Sequence, residues 1–120
     1  MIKKIETDKN LFYAEVTDFI TKEDVESVIP VVEDILKEYK KMNCLILLNK
    51  VKGYTLGGFL ADFNFYLKRK DAFDYTAIVG DKEFEKAMAE LFDKLMPGKA
   101  KYFDISDLEQ AKEWIRQRIE

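Results

Sequence analysis

The sequence predicts one α/β domain spanning residues 1–120, with a mostly parallel five-stranded sheet, an antiparallel first strand and four main helices. Three observations carry this prediction. The runs "CLILLN" (44–49) and "YTAIVGD" (75–81) lack polar alternation, as strands covered on both faces do. Segments of helical periodicity lie between the strands. The connections are short, with no linker, repeat or low-complexity tract, so successive strand–helix units imply right-handed crossovers.

Each element has its own local reason. "MIKKIE" and "LFYAEVTDF" have strand character and flank the polar turn "TDKN", which makes an N-terminal antiparallel pair. Thr21, with Asp24 three residues on, marks a helix start: the hydroxyl takes an orphan amide and the carboxylate faces the positive helix end. Val25, Val28, Ile29, Val32, Ile35, Leu36 and Tyr39 then recur at helical spacing as far as Lys41. Pro30 is expected to divide that stretch into a short helix, a kink and a longer helix.

After the strand at 44–49, residues 49–57 are expected as a strand-to-helix connection. Leu56–Lys70 follows as a helix with Phe59, Leu60, Phe63, Tyr66 and Leu67 on one broad stripe, closed by the basic cluster Lys68, Arg69, Lys70 as dipole complement and solvated surface. Asp81 caps a helix expected over 82–96, which stops at Pro97 and Gly98. "AKYFDI" is the last strand. Ser106 and Glu109 read as a capping box before a final helix that turns Leu108, Ala111, Trp114 and Ile115 inward.

Composition narrows the function classes. The chain is 48% apolar, and at 120 residues folding removes roughly two thirds of the unfolded surface from water, enough for a core without metal or disulfide. Twenty basic against 23 acidic residues give a net charge of −3, which offers no global field for nucleic acid or an anionic membrane. The one cysteine, Cys44, opens a buried strand and behaves as a small hydrophobe, which suits a reducing cytoplasm. The N-terminal stretch has no apolar leader core and no segment is long enough for a membrane span, so a cytoplasmic protein is expected.

Histidine is absent, which removes the commonest general base, the imidazole-dependent triads and most zinc or iron sites. No catalytic residue, metal ligand or cofactor site is expected. Among the carboxylates Asp62, Asp71, Asp74, Asp81 and Asp104, only Asp62 lacks a clear structural task, and a polar-face position beside Lys or Arg accounts for it. The stretch "VKGYTLGGF" has no Lys and Ser or Thr after its last glycine and no G-x-G-x-x-G spacing, so it is not a phosphate loop. Tight packing of a helix start explains Gly57 and Gly58. Sites in open parallel sheets nevertheless lie outside the carboxyl ends of strands, which makes Lys50, Lys52, Gly53, Tyr54, Thr55 and Gly57, with Asp81 and Lys82 nearby, the candidate face for a ligand or partner. Phe59, Phe63 and Tyr66 read first as core and otherwise as the lining of an apolar cleft between helix and sheet.

Several pieces together carry a family resemblance: Gly53-Tyr54-Thr55-Leu56 opening a helix, Ala77-Ile78-Val79-Gly80-Asp81-Lys82 at a strand end, and Tyr102-Phe103-Asp104 leading to Ala111 and Trp114-Ile115. Through these the chain resembles the SpoIIAA-like proteins, a group related in fold to STAS domains and more distantly to lipid-binding CRAL-TRIO domains. The resemblance implies a STAS-like fold and no enzymatic activity. It implies a regulatory or protein-interaction module with an unknown protein partner, or alternatively a small carrier of an apolar or amphipathic ligand. In anti-sigma-factor antagonists a phosphorylated serine in the strand-to-helix loop switches partner binding. This chain has no serine there, and the switch is not assigned to Thr55. A homodimer through an exposed sheet edge or an uncovered helix face is open.

Overall fold

Alternation along the strands sets the architecture. A computed structural model describes residues 1–81, 85, 86, 90, 94 and 99–118. The strands are β1 (Ile2–Asp8), β2 (Leu11–Ile20), β3 (Met42–Tyr54), β4 (Phe73–Gly80) and β5 (Lys99–Asp104), and they lie in that order in one sheet. β1 pairs antiparallel with β2, and every later neighbour is parallel. Three helices lie wholly within the described residues: α1 (Lys22–Glu38), α2 (Leu56–Arg69) and α3 (Leu108–Arg116). The fourth expected helix, over 82–96, lies largely outside them, and so does its cap on Asp81.

Along β3, Cys44 and Ile46 face one side of the sheet, and Leu45 and Leu47 face the other. The first side joins Phe12, Ala14, Val32, Ile35, Met42 and Phe73 into a core under α1 and α2. The second joins Ala77, Val79, Phe103, Ala111 and Ile115 into a core under α3. Covering on both faces is what the unbroken apolar run of β3 requires, and β3 is the central strand.

The Thr21 cap forms as expected. Asp24 N–H donates to Thr21 Oγ at 3.2 Å, and the Asp24 carboxylate accepts the Thr21 N–H at 2.9 Å, so the two close a reciprocal capping box. The expected division at Pro30 does not occur, because α1 runs through it without interruption. Pro30 and Glu26 both lie on the exposed face, so the carbonyl that the missing N–H leaves open is on the solvent side of the helix. The capping box expected at Ser106 and Glu109 is also replaced. Asp104 takes the cap, accepting both the N–H and the Oγ–H of Ser106 at 2.9 and 2.7 Å, and a short 3-10 turn over Ile105–Asp107 leads into α3.

Buried polar contacts tie the start of β3 to the C-terminal end of the chain. Asn43 is fully buried; its Oδ1 accepts the Tyr75 N–H at 3.0 Å and its Nδ2 donates to the Arg118 carbonyl at 2.8 Å. The Arg118 guanidinium lies over the Trp114 and Tyr75 rings at 4.4 and 4.6 Å.

Candidate functional site

The segment expected as a connection, 49–57, is mostly strand. β3 runs on to Tyr54, and only Thr55 separates it from α2. The extension pairs with β2 through Asp18↔Val51, Phe19↔Gly53 and Ile20↔Tyr54, with register shifts on either side of Asp18. Asp18 and Lys50 adopt φ of 60° and 58° at these bulges, which absorb the extra residues of β3. Gly53 has φ 139°, a conformation that favours glycine, and its side-chain position is open space.

The candidate residues separate along β3. Lys50 is exposed, and Lys52 Nζ lies 3.5 Å from Asp18 Oδ1. β3 continues to Tyr54 past its last pair with β4, Leu47↔Val79, whereas Asp81 lies just after the end of β4. Lys82 lies outside the described residues. Thr55 is the N-cap of α2: its N–H donates to the Ile20 carbonyl at 3.0 Å and its Oγ accepts the Gly58 N–H at 3.0 Å. Gly57 is exposed, in ordinary contact distance of Lys22, whereas Gly58 lies so close to β2 that a Cβ there would sit 2.1 Å from the Ile20 carbonyl oxygen. The packing explanation therefore holds for Gly58.

Asp62 has a partner of a different kind from the Lys or Arg expected. Tyr54 Oη donates to Asp62 Oδ2 at 2.6 Å beneath the first turns of α2. Burial pushes the Tyr54 hydroxyl far above its ordinary range, with the Asp62 charge adding to the rise. Burial also raises the Asp62 carboxyl, and the Tyr54 hydrogen bond opposes that rise in part. The pair is closed on itself, and the Tyr54 ring meets Phe59 edge-on at 6.1 Å.

The stripe on α2 is the larger departure. Phe59, Leu60, Phe63 and Leu67 are 47%, 56%, 53% and 48% exposed, and Leu56 is 76% exposed. The core reading of Phe59 and Phe63 is therefore corrected, because both point to solvent. They stack on each other at 6.3 Å. The inward face is instead Gly58, Phe65, Tyr66 and Arg69. Phe65 and Tyr66 pack on Phe73 at 6.1 and 5.7 Å, and Arg69 binds Glu33 of α1 through both Nε and Nη2 while lying 4.6 Å over the Phe65 ring. Arg69 is thus an anchor between helices rather than solvated surface. The cleft expected from Phe59, Phe63 and Tyr66 does not enclose these three, since Phe59 and Phe63 are about half exposed while Tyr66, at the edge of the same stripe, packs down on Phe73. Phe19, 47% exposed and paired with Gly53, is a further exposed ring near the end of β2 that periodicity did not single out.

A groove of about 210 Å³ lies elsewhere, between β1, β2 and α3. Most of its charged lining is paired locally, Lys4 with Glu6 at 2.8 Å, Lys112 with Glu109 at 3.7 Å and Arg116 with Glu113 at 3.8 Å. Another side chain missed from sequence is Glu85, 3% exposed and packed against Gly80 at the carboxyl end of β4. Among the described residues no three His, Cys, Asp or Glu side chains converge as a metal site would need, and no helix is long and apolar enough to cross a membrane.

Comparison with known proteins follows this geometry. The SpoIIAA-like family model matches residues 11–116. Among solved structures, the chain is similar to an uncharacterized protein of the DUF3478 family with a SpoIIAA-like fold from Shewanella loihica, at 25% identity and a TM-score of 0.80, covering 96% of this chain and 92% of that one. No curated protein matches.

Proposed function

The chain belongs to the SpoIIAA-like family, and from that premise we propose that it is a non-enzymatic protein-interaction module whose contact surface is the outer face of α2 with the end of β3 as its rim. The observation that supports this reading is the outward stripe Leu56, Phe59, Leu60, Phe63 and Leu67, each about half exposed or more. Leaving such a stripe in water forgoes burial worth roughly 25 cal/mol per Å², and contiguous apolar surface of this kind marks interaction sites. Tyr54 joins the stripe to its rim, because its ring contacts Phe59 while Lys52 and Thr55 flank it in sequence. An enzymatic role has less behind it, since the Tyr54 hydroxyl is already engaged with Asp62 beneath α2.

Affinity capture with crosslinking tests the assignment. Bait protein carrying Leu60→Glu and Phe63→Glu should lose a partner that the wild type retains, with crosslinks in the wild type mapping to α2 and to Lys52. Undiminished capture by that double variant would remove α2 from consideration, and loss on Lys52→Glu alone would confine the contact to the end of β3.

A further inference from the structure

Resting on that reading, we propose that the occupant of the α2 face is a second copy of this chain, docked helix against helix about a two-fold axis through the middle of α2. The first argument is area. Leu56, Phe59, Leu60, Phe63 and Leu67 are 47–76% exposed; at about 200 Å² for a large apolar side chain they present on the order of 600 Å². That is the upper end of a single patch on a monomer, about 600 Å². An isologous pair doubles it to about 1,200 Å², the lower bound for a specific interface.

The second argument is spacing. The exposed positions Leu56, Leu60, Phe63 and Leu67 are separated by four, three and four residues, a series that reads the same in both directions. An antiparallel second copy therefore sets Leu56 against Leu67 and Leu60 against Phe63, twice over, with the helix dipoles opposed. The spacing is that of an ordinary amphipathic stripe, so it permits the antiparallel pairing, and the area is what favours it.

Charge favours a second copy over a lipid surface. The exposed residues flanking the stripe between Leu56 and Leu67 are Gly57 and Asn64, both uncharged, and Asp62 is turned toward Tyr54. Lys68 and Lys70 lie beyond the stripe, and Lys52 is paired with Asp18. A helix lying on an anionic bilayer carries cations along its flanks, whereas here they stand only at the two ends, Lys22 beside Gly57 and Lys68 and Lys70 past Leu67. The stripe is also held in shape before association, by the Phe59–Phe63 stack and the close approach of Gly58 to β2, which lowers the ordering cost. The β1 edge is a poorer route, since Lys3, Lys4, Glu6 and Asp8 charge it against pairing.

Sedimentation velocity over about two orders of magnitude in concentration reads the result. The mass should move from one chain of 14.1 kDa toward twice that value, and Leu60→Glu or Phe63→Glu should weaken association at least about tenfold without changing circular dichroism or melting. For register, a mixture of Leu56→Cys and Leu67→Cys chains should form the mixed disulfide in preference to either homodimer, with buried Cys44 uninvolved. A monomer at every concentration, or a dimer indifferent to both glutamates, overturns the proposal. So does a monomer that co-sediments with phosphatidylserine vesicles and loses that property on Phe63→Glu. A monomer whose Phe63→Glu variant loses a different protein partner removes the second copy alone and leaves the interaction face standing. A monomer that keeps its partner through Leu60→Glu and Phe63→Glu removes both.

Discussion

Two adjacent glycines at the start of α2 should respond to alanine with opposite sign. A Cβ on Gly58 would lie 2.1 Å from the Ile20 oxygen, 2.9 Å from its carbonyl carbon and 3.0 Å from the Thr21 carbonyl carbon. All three obstacles are backbone, so no rotamer can move aside, and the first turn of α2 must lift by roughly 1 Å to reach ordinary contact. Overpacking of this kind costs about 1–3 kcal/mol. The lift also stretches the Thr55 N–H bond to the same Ile20 carbonyl, now 3.0 Å, for about another 1 kcal/mol. Alanine returns at most about 1 kcal/mol of helix propensity. The net expectation for Gly58→Ala is a loss of about 2 kcal/mol. Gly57 has only the Lys22 Cβ, at 3.6 Å, near its own Cβ position, so Gly57→Ala should gain about 0.4–1 kcal/mol by restricting the unfolded chain. Urea denaturation of the two variants, with unchanged m-values as the check on two-state behaviour, measures the difference. A Gly58→Ala protein as stable as Gly57→Ala would refute the close approach of α2 to β2, and with it the rigid presentation of the stripe.

Other expectations follow from buried groups. Burial pushes the Cys44 thiol up to about 12, so a thiol-reactive chromogen should label it only in denaturant, and fast labelling of the native protein would contradict its place in the core. Asn43→Ala removes an acceptor for the Tyr75 N–H and a donor to the Arg118 carbonyl, and should cost about 2–4 kcal/mol in thermal or urea unfolding. Tyr54→Phe leaves the Asp62 carboxylate without its donor and should cost about 1–3 kcal/mol at neutral pH. Because folding raises the Asp62 pKa, the native state holds the proton more tightly, and ionisation costs stability that is fully lost above the folded pKa and not lost below the unfolded one. Asp62→Asn should therefore be the more stable protein at neutral pH, with its advantage shrinking as pH falls through that window; a gap that widens on acidification would reverse the assignment.

The mostly parallel sheet and the antiparallel first strand were legible because "CLILLN" runs without alternation, as a strand covered on both faces does, and because the short polar "TDKN" joins two strand-like segments. The Thr21 capping box was legible because it is local, with both partners inside one turn. The extension of β3 was not. "NKVKGY" has two lysines and a glycine, and it becomes strand only because β2 runs alongside it through two bulges, a tertiary contact with no signature in the segment itself. Pro30 misled for the complementary reason: whether the lost hydrogen bond breaks a helix depends on whether the orphan carbonyl faces water, and that depends on which side of α1 meets the sheet. Asp62 was the one carboxylate without an evident task, and its partner, Tyr54, lies eight residues earlier on a different element.

The outward stripe on α2 shows where periodicity ends as a guide. "LGGFLADFNFYLKR" carries apolar side chains around most of its circumference, so spacing identifies a helix without fixing which arc faces the sheet. Other terms decide the rotation. Gly58 permits the close approach to the Ile20 carbonyl, Thr55 fixes the first turn, and at the far end Arg69 reaches Glu33 with two N–H groups while Phe65 and Tyr66 meet Phe73. Rotating the helix by half a turn would bury Leu60 and Phe63, but it would strand Arg69 away from Glu33, break the Tyr54–Asp62 hydrogen bond and place side chains where only glycine fits. Burying two or three more apolar side chains is worth about 1.5–3 kcal/mol each. Against that stand a charge-assisted pair at about 1.5–3 kcal/mol and an unpaired buried carboxylate at about 1–3 kcal/mol, together with a backbone clash at about 1–3 kcal/mol. The terms are comparable, so a fixed outward rotation is tolerable in the monomer and becomes clearly favourable once the stripe is covered by a partner. Polar anchors hold the helix, and the proposed association would recover the apolar burial that this orientation leaves in water.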